Sequence, residues 1–292
     1  MDLSHLDRIK ELAIAGMFSD QELTNFFVLK GGNALDIVYK IAGRASQDLD
    51  FSIETEFKKD DLEHIQTRID KALSNTFSEA GYTVFDVKLS EKPKRISQEI
   101  ADFWGGYRID FKIIEAKRFS QFANDVNALR RNAKVLSETH QRTFVIEISK
   151  FEHCKPSQKK LLKGYTIQVY TPEMIVCEKL RAICQQMPEY ASKVKMHQRA
   201  RARDFFDIYS VFDNFKINFN SPENKRLITD IFAAKRVPLK LLGLIRRDRE
   251  FHRPDFVAVE NTVKADTNLQ NFDFYFDFVV DKCEQLKTLW KK

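Results

Sequence analysis

The sequence predicts an α+β chain: a mixed sheet flanked by helices over residues 1–170, then a mostly helical region over 171–292. Three observations predict it. Stretches that alternate apolar and polar residues, such as TFVIEIS at 143–149, are interleaved with stretches whose apolar residues recur at helical spacing, such as Leu62, Ile65, Ile69, Leu73 and Phe77. Beyond residue 171 the helical spacing dominates. Glycine and proline are scarce, at 9 and 7 of 292 residues, which favours regular elements over long loops. With 43% hydrophobic and 31% charged residues the chain is globular and long enough to bury a real core.

The elements follow in order. Residues 2–18 place Leu3, Leu6, Ile9, Leu12 and Ala13 on one helical face, and a second helix starts near Ser19–Asp20, either of which caps it. Phe26–Leu29 is a short apolar strand that stops at Lys30-Gly31-Gly32. Asn33–Tyr39 is a short helix, Leu49–Ile53 a strand and Phe57–Phe77 a long amphipathic helix. Tyr82–Leu89 and Tyr107–Ile114 read as strands, 119–138 as helix, Thr143–Ser149 and Thr166–Tyr170 as strands. Thr171-Pro172-Glu173 opens a helix with a capping hydroxyl, proline at the first position and an acid in the first turn. A basic connector spans 188–198 and a second helix starts at Arg199. Helices are expected at 225–234 and 237–245, and 271–286 is an aromatic core segment that starts extended before turning helical.

Composition narrows the class. The N-terminal MDLSHLDRIKELAIAGMF carries Asp2 and Asp7 and does not read as a secretory signal, and no run of 18 apolar residues exists to cross a membrane. Cys154, Cys177, Cys184 and Cys283 include no C-x-x-C pair, so neither a zinc site nor a disulfide framework is expected. Together these features predict a cytoplasmic protein with no membrane partner. The net charge of +6 is concentrated: residues 150–203 hold twelve Lys/Arg against Glu152, Glu173, Glu178 and Glu189. Such a segment suits a polyanion, nucleic acid or nucleoside triphosphate, although charge runs are often plain solvated surface.

The chemistry centres on LKGGNALDIVYKIAGRASQDLDFSI at 29–53. Side chains two apart on a strand share a face, so Asp48 and Asp50 sit together while Leu49, Phe51 and Ile53 turn to a core. Two adjacent carboxylates repel and are costly to desolvate; a divalent cation relieves both problems, and Mg²⁺ takes one or two carboxylates plus water and substrate phosphate. Gly31 and Gly32 lack Cβ atoms, so backbone N–H groups can approach an anion at the start of a helix. Alone, D-x-D is common on solvated strands and G-G is usually a turn; together with R-x-S they suit phosphoryl or nucleotidyl transfer. Asp110 and Glu147 compete as a third carboxylate, the former having Arg108 or Lys112 as an ordinary ion-pair partner.

The run from Gly31-Gly32 to Arg44, Ser46, Asp48 and Asp50 resembles the nucleotidyltransferase signature of the DNA polymerase β superfamily, and within it the AbiEii/AbiGii toxins of bacterial AbiE-type and MenT-type toxin–antitoxin systems. A second block is similar to that family's K-x-x-A-[IL] … R-x-[KR]-D-x-x-D-[IL]: Lys179, Ala182 and Ile183, then Arg201, Arg203, Asp204, Asp207 and Ile208. The likeness covers about residues 26–53 and 145–212. It implies a polymerase β-like core over 1–170, with 171–292 contributing Lys179 and Asp204 to the cleft. It implies an enzyme using Mg²⁺ or Mn²⁺ to move NMP from NTP to an acceptor, foremost an RNA or tRNA 3′ end, and a cognate antitoxin. Asp48, Asp50 and Glu147 would hold metal, with Asp110 as alternative to Glu147. Lys30, Gly31, Gly32, Arg44, Ser46, Lys179 and Arg203 would bind the nucleotide, Lys179 touching the triphosphate and Asp204 orienting Lys179 or Arg203 or meeting the sugar. A catalytically degenerate RNA- or partner-binding protein of the same fold is the alternative.

Overall fold

The computed structural model of the chain describes residues 3–41, 48–135, 141–264 and 267–291. Arg44 and Ser46 lie outside these described residues.

Helix α1 (Leu3–Phe18) leads through a single 3₁₀ turn at Leu23–Asn25 into strand β1 (Val28–Lys30). The second helix expected here is only that turn, because Asp20 spends its carboxylate on the backbone N–H groups of Glu22 and Leu23, at 2.9 and 3.0 Å. Helix α2 (Gly31–Asn33), running on as a π turn over Ala34–Val38, takes both glycines as its first turn. Strand β2 is Leu49–Ser52, followed by α3 (Leu62–Glu79), which buries Ile65, Ile69, Leu73 and Phe77 as their spacing predicts.

Strands β3 (Tyr82–Lys92) and β4 (Gly106–Glu115) form a long hairpin. The helix expected over 119–138 is broken into α4 (Ala116–Phe122) and α5 (Val126–Asn132), because Asp125 caps a fresh start by accepting the Ala128 N–H at 2.9 Å. Strand β5 (Phe144–Ser149) is followed by β6 (Ser157–Leu162), absent from the sequence expectation, and β7 (Tyr165–Tyr170). SQKKLL carries no clean alternation because it is a sheet edge with one neighbour, and Leu161 is 76% exposed there.

Helix α6 (Pro172–Gln185) starts as expected, with the Thr171 hydroxyl accepting the Met174 N–H. The supposed connector contains α7 (Pro188–Val194), opened by its proline, and the next helix, α8, begins at Ala202, three residues later than expected, and ends at Asn214. Then come α9 (Pro222–Ala234), a 3₁₀ stretch over Leu239–Asp248 and short turns to Glu260. Helix α12 (Phe272–Gln285), which follows α10 (Arg249–His252) and α11 (Val257–Glu260), is helical throughout rather than extended at its start. Its aromatics are core: Phe276 stacks on Phe205 at 5.1 Å between ring centroids.

The seven strands form one mixed sheet in the order β3-β4-β5-β2-β1-β7-β6. β1 runs antiparallel to β2 and parallel to β7; β2 runs parallel to β5. One face packs on α1 and α3. There Phe51 is fully buried, with Phe18 and Phe27 at 5.9 and 5.8 Å between centroids. That anchoring fixes the register of β2, since a slip of one residue would turn Phe51 out and Asp50 in. The opposite face is thereby polar at the centre of the sheet.

Candidate active site

Register assembles the first part of the site. Lys30 pairs with Asp50 across β1–β2, Asp50 with Glu147 across β2–β5, and Glu147 with Arg108 across β5–β4. Residues opposite one another on adjacent strands share a face, so four charged side chains stand in one row, plus, minus, minus, plus. Asp48 precedes β2 and is exposed, and Asn33 donates from its side-chain amide to the Asp48 carbonyl, tying the new helix to the carboxylate strand. Gly31 has a φ of +69°, and a Cβ there would lie 2.9 Å from Asp50 Oδ2. Only glycine meets both demands, a left-handed backbone and a carboxylate against the Cα.

The residues singled out in the sequence converge. One cavity of about 390 Å³ is lined by Lys30, Gly31, Gly32, Asp48, Asp50 and Glu147 from the sheet, and by Lys179, Arg203 and Asp204 from α6 and α8. Asp110 does not line it. Arg108 reaches Asp110 at 2.7 Å, so that carboxylate is spent in the ion pair anticipated for it, and Glu147 is the acid beside Asp50. Glu147 itself meets the Lys92 ammonium.

Electrostatics separate the cavity's two walls. Burial pushes the Asp50 carboxyl up to about 6 from an ordinary 3.8; Lys30 opposes this, while Asp48, Glu147 and Glu178 add to it. On the other wall Lys179, only 4% exposed, places Nζ 2.8 Å from Asp204 and 2.7 Å from Asp207. Asp204 also accepts from Arg201 Nε at 2.6 Å. Asp207, four residues after Arg203 on α8, thus serves the lysine. Of the three arginines leading into α8, Arg199 and Arg203 are exposed and Arg201 is half-buried, and all three reach the cavity wall.

Among the described residues no three carboxylate, histidine or cysteine groups form a closed metal cage. The donor set nevertheless fits a hard divalent cation that keeps water and phosphate in its shell. Asp48 and Asp50 would supply oxygen ligands; burial first, and the like charges of Asp48, Glu147 and Glu178 after it, raise the Asp50 carboxyl.

Sequence reading missed a buried charge cluster behind the row. Lys30 Nζ lies 3.3 Å from Glu178 and 3.7 Å from Glu152; Arg181 holds Glu152 at 2.7 Å and Glu178 at 3.3 Å; Lys235 reaches Glu152 at 3.6 Å. Burial alone would lower the Lys30 ammonium, but Glu178 and Glu152 hold it above the usual lysine range. Burial likewise opposes ionisation of Glu152, yet Arg181, Lys30 and Lys235 hold its carboxyl far below the ordinary value. Arg181 and Lys179 are both buried and paired, so the basic count of 150–203 overstates its positive surface. The available signal was a K-L-R run inside an apolar helix, which has no place for charge unless partners meet it.

Two further residues brace the cavity. His252, fully buried, accepts the Arg201 N–H on Nδ1 at 3.0 Å, and Asp255 accepts the Ala202 N–H at 3.0 Å, capping α8. Burial lowers the His252 imidazole to about 4, keeping it neutral and able to accept. The arginines of 246–253 are tied down. Arg246 pairs with Glu284, Arg247 with Glu189, Arg249 with Asp273 and Asp277, and Arg253 with Asp273 and Glu250.

The family model described as "Nucleotidyl transferase AbiEii toxin, Type IV TA system" matches residues 13–278. No curated protein matches the sequence. Similar solved structures include a candidate nucleotidyltransferase from H. pylori (15% identity, TM-score 0.48, covering 99% of this chain and 96% of that one). The JHP933 protein from Helicobacter pylori is similar at 15% identity and TM-score 0.48, with 99% and 93% covered. An antigenic nucleotidyltransferase-like protein from Paracoccidioides brasiliensis stands at 14% and 0.40, with 90% and 95% covered. No helix among the described residues is long and apolar enough to cross a membrane.

Proposed function

We propose that this chain, which belongs to the AbiEii family of nucleotidyl transferase toxins of type IV toxin–antitoxin systems, transfers NMP from an NTP to the 3′ hydroxyl of an RNA, tRNA foremost, with Mg²⁺ or Mn²⁺. We place it in the cytoplasm, beside a cognate antitoxin. The observation that carries the reading is convergence. Residues separated by up to 225 positions, from Lys30 to Asp255, line one cavity with an excess of carboxylate on one wall and exposed arginine on the other.

In the reaction the acceptor oxygen attacks the α-phosphorus, a new P–O ester bond forms, the bridging P–O bond to the β-phosphate breaks, and pyrophosphate leaves. Asp48 and Asp50 hold the cation, which when bound neutralises phosphate charge and polarises the reacting oxygens. The Gly31 and Gly32 backbone and Arg203 bind the β- and γ-phosphates. Lys179, already balanced by Asp204 and Asp207, holds the α6–α8 wall in place and leaves the phosphates to Arg203 and the glycine backbone. Glu147 accepts the hydroxyl proton. Lys30 sits between the acid row and the buried cluster and keeps Asp50 from rising further. Residues 171–292 act as a second, mostly helical domain that closes the cleft.

Incubation with each α-labelled NTP, Mg²⁺ and total RNA tests the reading. The expected result is label joined to RNA, lost on chelation and in Asp48→Ala and Asp50→Ala. RNA binding without label transfer, or transfer unchanged in both variants, overturns it.

A further inference from the structure

A second cavity, of about 740 Å³, opens directly beyond Glu147. It shares Lys30, Lys92, Glu147, Glu178, Arg199 and Arg201 with the first, so the two adjoin, with Glu147 among the residues at their junction. The glycine turn, Asp48, Lys179 and Asp204 line the smaller cavity alone. Displacement at phosphorus is in line, with the attacking and leaving oxygens on opposite sides. If pyrophosphate leaves on the glycine side, the attacker arrives from the Glu147 side, where the larger chamber lies.

The chamber's walls specify what arrives. Ile96, Ile100 and Trp104 give it an apolar, half-buried side, and the Trp104 ring stands 5.7 Å over the Lys235 ammonium, itself buried. The rim carries Arg95, Lys195 and Arg199, all exposed and, among the described residues, in no ion pair, whereas the arginines of 246–253 are all paired. A flat apolar wall under a rim of free cations is the arrangement that takes a base and its neighbouring phosphates; pockets of ~300–1,000 Å³ hold ligands of that size. A protein side-chain hydroxyl would use neither the aromatic wall nor the rim.

We propose that this chamber is the acceptor site: it takes the terminal nucleoside of a single-stranded polynucleotide, its base against Trp104, Ile96 and Ile100 and the preceding phosphates on Arg95, Lys195 and Arg199. The proposal rests on the nucleotidyltransferase reading above, and adds where the acceptor lies and which residues select a nucleic-acid end.

The chain has two tryptophans, Trp104 and Trp290, so fluorescence can report on the chamber. The probe is a short single-stranded oligoribonucleotide with a free 3′ hydroxyl, titrated without NTP. The expected result is quenching that disappears in Trp104→Phe, a Kd raised about tenfold in Trp104→Ala, and a weaker salt dependence in Arg95→Glu. Binding of a non-hydrolysable NTP analogue stays within about twofold in all three. Arg95 is exposed, so its variant keeps the test valid should Trp104→Ala fail to fold. A fall in analogue affinity with unchanged oligonucleotide affinity would assign the chamber to the nucleotide base and overturn the proposal. So would transfer onto RNA with unaltered acceptor KM in both Trp104→Ala and Arg95→Glu; in that case the transferase reading stands, whereas absence of any Asp50-dependent transfer sinks that reading instead.

Discussion

Lys179 and Asp50 face the same cavity, and one is neutralised by its own chain while the other is not. The lysine has two carboxylates within 2.8 Å and is sealed between α6 and α8. The aspartate has Lys30 and, less strongly, Arg201 against Asp48, Glu147 and Glu178, and burial first and these like charges second raise its carboxyl to about 6. A buried charge that is already paired holds structure together, because removing one partner strands the other. A buried carboxylate that is underpaired weakens the free protein and waits for a cation from solution. On the proposed reading the deficit marks where a ligand acts, and the complete pairs mark what keeps the walls in place.

Substitutions can break this contrast. The largest effect is expected at Asp50→Asn: transfer falls by about 10³-fold, as when a main electrostatic contact to the transition state is lost, while the thermal midpoint without metal does not fall. The sign follows from linkage. The folded state keeps a proton on Asp50 that the unfolded chain has released between an ordinary 3.8 and about 6, so this group's contribution to stability declines as pH rises through that window. Removing the charge recovers on the order of 3 kcal/mol at neutral pH. Lys179→Met should do the reverse and cost about 3–5 kcal/mol by leaving Asp204 and Asp207 buried without their ammonium, read as a lowered denaturation midpoint. A melting curve for Asp50→Asn that drops as far as that of Lys179→Met would erase the distinction.

Smaller effects sharpen it. On the proposed reading the ionised Asp50 binds the cation, so kcat/KM at limiting metal should fall about tenfold per unit below pH 6. In Asp48→Asn that inflection moves to lower pH, because one of the like charges raising Asp50 is gone. The smallest effect is expected at Asp110→Asn, within about threefold in kcat since its carboxylate is engaged by Arg108, whereas Glu147→Gln should lower kcat by about 10²-fold or more as a lost proton acceptor. Equal losses at the two positions would reopen the choice of third acid.

The chain's own order of residues determined a good part of this. Alternation in DLDFSI put Asp48 and Asp50 on the face opposite Phe51, because a strand has a period of two and the sheet has one apolar side. The Thr171-Pro172 start of α6 was equally readable, since capping is a local matter. Edge strand β6 was not, as its one-sided pairing asks little of its side chains. Tertiary structure alone decided which charges are spent and which are free. Whether Glu147 or Asp110 meets Asp50 depends on the parallel pairing of β2 with β5 and on the reach of Arg108. Whether the basic residues of 150–203 and 246–253 pair or stand free depends on carboxylates far away in the chain, such as Glu11 for Lys163 and Glu189 for Arg247. Local pattern sets the direction of a side chain; the energy of a charge is set by everything within a few ångströms of it, and those neighbours come from the whole chain.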